Sequence, residues 1–178
     1  MKLIIIPTLN EKKNIKRLFS QIKKQKINAD ILFIDDNSID GTRKEIINFK
    51  KNNKNTKYIF RPTKLGIGSA HKVGLIYGYK KKYKQILTMD ADGTHDPKHI
   101  KKMFLKSNNF DLIITNRFIN SNSLKDWPIF RKILTSIRFY LINILLNFNF
   151  DSSGAYRCYN TKKITIDHIL LAKDNSYS

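Results

Sequence analysis

Two carboxylates one residue apart, in Asp90-Ala91-Asp92, follow the apolar run Ile86-Leu87-Thr88-Met89. Beyond the end of a strand, such a pair can face one divalent cation, and the cation can bridge the phosphates of a nucleotide pyrophosphate. Oxygen ligands of this kind suit Mg2+ or Mn2+. Asp-rich turns are common, so a plain turn stays open as the alternative. A second acidic pair, Asp35-Asp36, also ends an apolar run. It offers acceptors to a nucleobase or ribose, and equally to the first N–H groups of a helix, with Asp36, Ser38 and Asp40 as candidate caps. Gly66-Ile67-Gly68 opens a helical stretch and could admit phosphate closely. It lacks the third glycine of the dinucleotide-binding fingerprint.

The elements that must position these groups follow from periodicity. Short apolar runs predict strands over 3–6, 29–34, 58–60, 85–89 and 111–115. A helix is expected over 11–24, capped by Asn10, with Ile15, Leu18, Phe19 and Ile22 on one face. Others open at 40–42, run over 66–79, and run over 97–105 with Pro97 in the first turn. Strands alternating with helices predict an α/β doubly wound, mostly parallel sheet covered on both faces. Ligands of such sheets bind at the carboxyl ends of strands, and both acidic pairs fall there. Residues 120–125 are polar and loop-like. The stretch 127–150 is apolar but interrupted by Arg131, Lys132 and Arg138, too basic to span a bilayer. It is either a helix lying in a membrane interface or a core helix.

A chain of 178 residues suits one domain, 1–178. Its net charge of +20 attracts polyanions, whether nucleic acid, anionic membrane or phosphorylated substrate. Most of the basic residues are Lys, and Lys, Asn and Ile together are also what an AT-biased coding sequence produces, so charge alone selects no partner. The lone Cys158 excludes an internal disulfide and a cysteine-based metal site, and fits a reducing compartment. The four apolar residues before Pro7 are too few for a signal-peptide core and read better as a first strand. A soluble or peripheral protein is expected.

Taken in order, the motifs resemble those of family 2 glycosyltransferases, and within them the dolichyl- or polyprenyl-phosphate mannosyltransferase group. The similarity rests on 5–11 (Ile-Ile-Pro-Thr-Leu-Asn-Glu), on Asp35-Asp36-Asn37-Ser38 with Asp40-Gly41-Thr42, and on Arg61 with 64–70. It continues through Met89-Asp90-Ala91-Asp92, His95-Asp96-Pro97 and Asn116-Arg117-Phe118, then Trp127, Arg131-Lys132 and 151–157. The resemblance implies a GT-A-type fold and an inverting hexosyl transfer from a nucleotide-sugar, GDP-mannose first and a UDP-sugar second. It places Pro7, Asn10, Glu11, Asp35, Asp36, Lys64, Gly66, Asp90 and Ala91 at the donor. Asp90, Asp92 and Thr94 would hold Mg2+ or Mn2+, with Thr94 standing where the family often has Gln or Ser. Asp92, Arg117 and Arg131 carry the expected catalytic roles, the arginines beside the donor and acceptor phosphates.

A polyprenyl-phosphate acceptor is already anionic, so alignment and charge stabilisation suffice; a sugar hydroxyl would need a carboxylate base, and none is singled out. Residues 1–119 are expected to form the nucleotide-sugar half. Residues 120–178 form an acceptor- and membrane-facing part that the resemblance implies is incomplete, because the family continues past the Tyr177-Ser178 position. Peripheral attachment at the cytoplasmic face of a membrane follows. The sequence Ser136-Ile137-Arg138-Phe139 departs from the family's small-residue pattern. The alternatives are transfer to a glycan or lipopolysaccharide precursor, an inactive relative, and a basic nucleic-acid-binding domain. Scattered arginines argue against the last, so no nucleic-acid partner is expected.

Overall fold

The computed structural model describes residues 1–116, 128–147, 151 and 154–171. A six-stranded sheet has the order β3-β2-β1-β4-β6-β5. Its strands are β1 (Lys2–Thr8), β2 (Asp30–Asp35), β3 (Thr56–Phe60), β4 (Gln85–Thr88), β5 (Leu112–Ile114) and β6 (Arg157–Asn160). The first four pair in parallel, as expected of α/β crossovers. The sequence reading missed β6, which lies between β4 and β5 and is antiparallel to both.

The strands are apolar on both sides because both faces are covered. Ile4, Ile6, Ile31, Phe33 and Leu87 pack with Ile15, Leu18 and Phe19 of α1 (Lys12–Lys24), Ile46 of α2 (Thr42–Asn52) and Met103 of α4 (Ile100–Lys106). Leu3, Ile5, Leu32, Ile34 and Ile86 face the other way, against Ala70 and Leu75 of α3 (Ile67–Lys80), with Ile169 of α6 (Ile166–Leu171) at the margin. The helix expected at 97–105 begins as a 3-10 turn, Pro97–His99, with Asp96 accepting from the Lys98 N–H.

Helix α3 lies close to the sheet because it carries glycines at Gly74 and Gly78. A Cβ on Gly74 would stand 2.6 Å from Ile5 Cγ2 and 2.8 Å from Ile34 Cδ1. Ile5 is β-branched and stiff at χ1, so it cannot swing aside cheaply. Gly74→Val should therefore lower stability by about 1–3 kcal/mol despite the better helix propensity of valine. A urea midpoint no lower than that of the parent would contradict this packing.

The free thiol of Cys158 is fully buried in β6. Burial pushes it up to about 11, against weaker downward pulls from the Ser107 hydrogen bond and the Lys2 charge. The folded protein therefore holds this proton where the unfolded chain has lost it. The contribution is complete below the unfolded thiol's range and disappears as pH rises through about 11. Stability should fall between pH 9 and 11, with a shallower fall in Cys158→Ala, as read from urea midpoints at several pH values.

Helix α5 (Ile129–Leu146) is unlike the others. Ile137, Tyr140, Leu141 and Ile144 expose between 50 and 77% of their surface. Ile133, Ile137, Tyr140, Leu141 and Ile144 follow one another at helical spacing and line a shallow apolar concavity. The core-helix alternative for 127–150 is not what α5 forms, since these side chains stay open. Among the described residues no helix is long and apolar enough to cross a membrane.

Candidate active site

The carboxyl ends of β1, β2 and β4 gather six of the chain's fourteen acidic residues: Glu11, Asp35, Asp36, Asp40, Asp90 and Asp92. Strand register aligns them. Thr8 is paired with Asp35, and the main chain continues the ladder, with the Asp36 N–H donating to Thr8 O at 2.9 Å and the Met89 N–H to Ile5 O at 3.0 Å. In a chain of net charge +20, this is a local reversal of sign.

The loop after β2 holds the start of α1. The N–H groups of Asn10, Glu11 and Lys12 donate to Ser38 Oγ (2.8 Å), Thr42 Oγ1 (2.9 Å) and Asp40 Oδ2 (3.0 Å). Asn10 is therefore not the N-cap; Glu11 takes that position. Asn10 adopts a left-handed φ of 57° and accepts from the Ile39 N–H at 3.0 Å instead. Acceptors from a loop nearly thirty residues away replace the local side-chain cap. Pro7 is buried in the last turns of β1.

Asp35 and Asp36 are buried, and donors from the protein occupy both carboxylates. Asp35 accepts from Thr8 Oγ1 (3.0 Å), the Ser38 N–H (3.0 Å) and Ser38 Oγ (2.5 Å), and pairs with Arg43 Nε (2.6 Å). Asp36 pairs with Arg61 and accepts from the N–H groups of Leu65 (3.2 Å) and Gly66 (3.0 Å). Arg61 also donates to Ser69 Oγ (2.8 Å) and Gly66 O (3.0 Å). Asp36 thus ties down the turn that opens α3, where Gly66 has a φ of 87° that favours glycine. None of the three cap candidates is the N-cap of α2, which is Gly41 with a φ of 96°; Asp40 stands one residue earlier and accepts from the N–H and hydroxyl of Thr42, at 2.9 and 2.6 Å. Arg43, which also lies over the Phe60 ring at 5.0 Å, was not foreseen. Lys64 is exposed on the same turn as Gly66.

Within Asp90-Ala91-Asp92, Ala91 is 3% exposed and packs into the core beneath α1 and α4. That anchors the loop and leaves a carboxylate on each side. Asp92 Oδ1 accepts from the N–H (2.9 Å) and hydroxyl (2.7 Å) of Thr94. Asp90 lies between two imidazoles. His71 Nε2 of α3 is 3.7 Å from one carboxylate oxygen and His95 Nε2 is 3.7 Å from the other. The Asp90 N–H donates to His95 Nδ1 at 2.8 Å, which leaves Nε2 as the protonated nitrogen of the neutral ring. The His95 ring stacks on Tyr156 (4.8 Å), whose hydroxyl donates to Asp96 O at 2.9 Å. His71 carried no signal in the sequence, since only the packing of α3 brings it to Asp90.

Glu11 joins this group electrostatically. Burial raises its carboxyl above the ordinary range, the Asn14 amide (2.8 Å) opposes this, and the charges of Asp92, Asp40 and Asp90 raise it further. Carboxylates that repel one another are what a cation relieves. Among the described residues, no three His, Cys, Asp or Glu side chains are gathered to hold a metal by themselves. Magnesium-type sites, however, take one or two carboxylates and draw the remaining ligands from water and substrate phosphate. Asp90, Asp92 and the Thr94 hydroxyl fit that pattern. Arg117 lies outside the described residues. Arg131 stands in the first turns of α5, and its side chain is likewise outside them.

Comparison with known proteins bears on the family and the fold. The chain is 29% identical over 158 residues to the undecaprenyl-phosphate mannosyltransferase of Micrococcus luteus, covering 88% of this chain and 65% of that protein. It is 30% identical over 139 residues to the dolichol-phosphate mannosyltransferase of Saccharomyces cerevisiae, covering 75% of this chain and 51% of that one. The chain thus spans two thirds or less of these relatives' length. Among solved structures, a Pyrobaculum calidifontis mannosyltransferase in complex with GDP-Man and Mn2+ shares the fold. Its TM-score is 0.56 at 15% identity, over 90% of this chain and 44% of that one. A mycobacterial protein superposes with a TM-score of 0.63 at 14% identity, over 91% and 54%. The expected GT-A-type α/β architecture is therefore the one observed. Residues 3–165 match the family described as glycosyl transferase family 2, and the chain belongs to that family.

Proposed function

We propose that this chain is an inverting, metal-dependent hexosyltransferase domain that moves mannose from GDP-mannose to a polyprenyl phosphate at a membrane surface. The observation that carries this reading is the convergence of Glu11, Asp90 and Asp92 at the strand ends, around an alanine locked into the core. Residues 1–119 supply the donor half and 120–178 the acceptor side.

Asp90, Asp92 and Thr94 would hold a Mg2+ or Mn2+ ion, which would supply positive charge to the donor pyrophosphate. The hydroxyl of Thr94 already donates to Asp92, which leaves lone pairs on its oxygen. His71 and His95 flank the Asp90 carboxylate, each with Nε2 at 3.7 Å. Pro7, Asn10 and Glu11 line the donor from β1, and Lys64 and Gly66 from the opening of α3. Asp35 and Asp36 shape the pocket, because direct contact with base or ribose requires Arg43 or Ser38 to yield at Asp35 and Arg61 or the Leu65–Gly66 turn to yield at Asp36. Arg117 and Arg131 are assigned to the donor and acceptor phosphates. In the transfer, an acceptor phosphate oxygen forms the new bond to the anomeric carbon as the bond to the nucleoside diphosphate breaks. The attacking group is already anionic, so no strong base is needed.

The exposed apolar face of α5, with Lys132 and Arg138 interspersed, suits the interface of an anionic bilayer. Relatives named for undecaprenyl and dolichol phosphates support the lipid acceptor, and attachment at the cytoplasmic face is part of the same proposal.

Calorimetric titration with GDP-mannose and with UDP-glucose, each with and without Mn2+, tests the donor. Metal-dependent binding of GDP-mannose in preference to UDP-glucose is expected; failure of both donors to bind in Mn2+ overturns the assignment. Co-sedimentation with anionic vesicles tests the membrane contact. Binding should fall sharply in Ile137→Glu/Ile144→Glu, and equal binding by the variant would remove α5 from that role.

A further inference from the structure

A second cleft lies at the opposite end of the sheet, at the amino ends of β2 and β3, where α1 and α2 finish. It encloses about 310 Å³, the lower end of the range for small-molecule sites. Its floor is apolar: Phe19, Ile22, Ala29 and Ile31 keep between 4 and 9% of their surface open to it. Phe19 is fixed by stacking on Phe49 at 4.2 Å. The rim carries Lys23, Lys26 and Lys54, and none of the lining residues is acidic. The C-terminal ends of α1 and α2 bring only partial negative charge, which three full ammonium charges exceed.

Lys26 is held at the rim by its backbone. It closes α1 with a φ of 49°, its N–H donating to Lys23 O at 3.0 Å. That left-handed position after a helix is the usual place of glycine. Lys82 takes the same position after α3, with a φ of 57°, so the conformation serves here only to fix where the Lys26 side chain leaves the backbone, at the edge of the apolar cleft.

The geometry points to a binding site for an amphiphilic anion of the medium-chain acyl carboxylate class. Its hydrocarbon lies on Phe19, Ile22, Ala29 and Ile31, and its carboxylate faces Lys23, Lys26 and Lys54. The site is separate from the acidic loops at the carboxyl ends of the strands and stands whether or not the donor reading holds.

The test is a titration of the full chain, labelled at isoleucine methyl groups, with decanoate and with 1-decanol, followed by NMR. Saturable shifts are expected at Ile22, Ile27 and Ile31. Affinity for decanoate should drop at least about fivefold in Lys23→Ala/Lys26→Gly, as loss of two surface charge contacts predicts. Lys26→Gly relieves the backbone strain, so a fold defect cannot account for the loss in that single variant, where a smaller drop is expected. Equal affinity for decanol and decanoate, or unchanged affinity in the double variant, overturns the anion site. Shifts confined to Ile133, Ile137 and Ile144 would overturn it as well, by locating the binding on α5.

Discussion

Arg61→Ala should cost about 3–5 kcal/mol of folding stability, the range for removing one partner of a buried ion pair. Both side chains of the pair are 6% exposed, so the Asp36 carboxylate left behind has little access to water. Arg61 also donates to Ser69 and Gly66, while Asp36 accepts from Leu65 and Gly66. The substitution therefore unties the turn between β3 and α3 along with the pair. Domains of this size have about 5–15 kcal/mol in total, so the variant should be partly unfolded at 37 °C. Asp36→Leu should be similarly unstable. The double variant Arg61→Met/Asp36→Leu should recover part of the loss, since it buries no lone charge. Urea unfolding followed by circular dichroism measures all three. A loss below about 1 kcal/mol in Arg61→Ala would mean that Asp36 is hydrated and the pair is not buried in solution.

The same pair shows why part of the site was legible in the sequence and part was not. Asp35-Asp36 announced itself because it ends a continuous apolar run, and such runs mark buried parallel strands. Five of the six strands were readable for that reason. The sixth, Arg157-Cys158-Tyr159-Asn160, has four residues of mixed polarity and pairs antiparallel, so neither length nor composition marked it. What the carboxylates bind was not readable either. Asp35 meets Arg43, the second residue of α2, and Asp36 meets Arg61 across twenty-five residues. Asn10 was mistaken for a cap because capping was sought locally, whereas Ser38, Asp40 and Thr42 supply the acceptors. His71 illustrates the remaining limit. Periodicity assigned its helix, but only the close approach of α3, permitted by Gly74 and Gly78, brings its ring to Asp90.

Asp92→Ala should leave the fold nearly intact and weaken Mn2+-dependent binding of GDP-mannose by at least about 100-fold. The two halves of this expectation have separate causes. Asp92 is exposed, and its carboxylate accepts from the N–H and hydroxyl of Thr94 within its own turn. Surface changes of this kind usually alter stability by no more than about 0.5 kcal/mol. The functional effect is larger because loss of a group that merely supports a metal ligand already costs about 10–100-fold. Loss of a ligand from a site with so few protein carboxylates should exceed that. Glu11→Gln gives the contrast. It removes one member of the repelling set without removing an assigned ligand, so cation affinity should fall far less, and the remaining carboxylates should be easier to ionise. Mn2+ titration by electron paramagnetic resonance, with thermal melts as the control for folding, separates the cases. If Asp92→Ala bound Mn2+ and donor as the parent does, the Asp90–Thr94 loop would be a structural turn and the cation would have to be sought elsewhere.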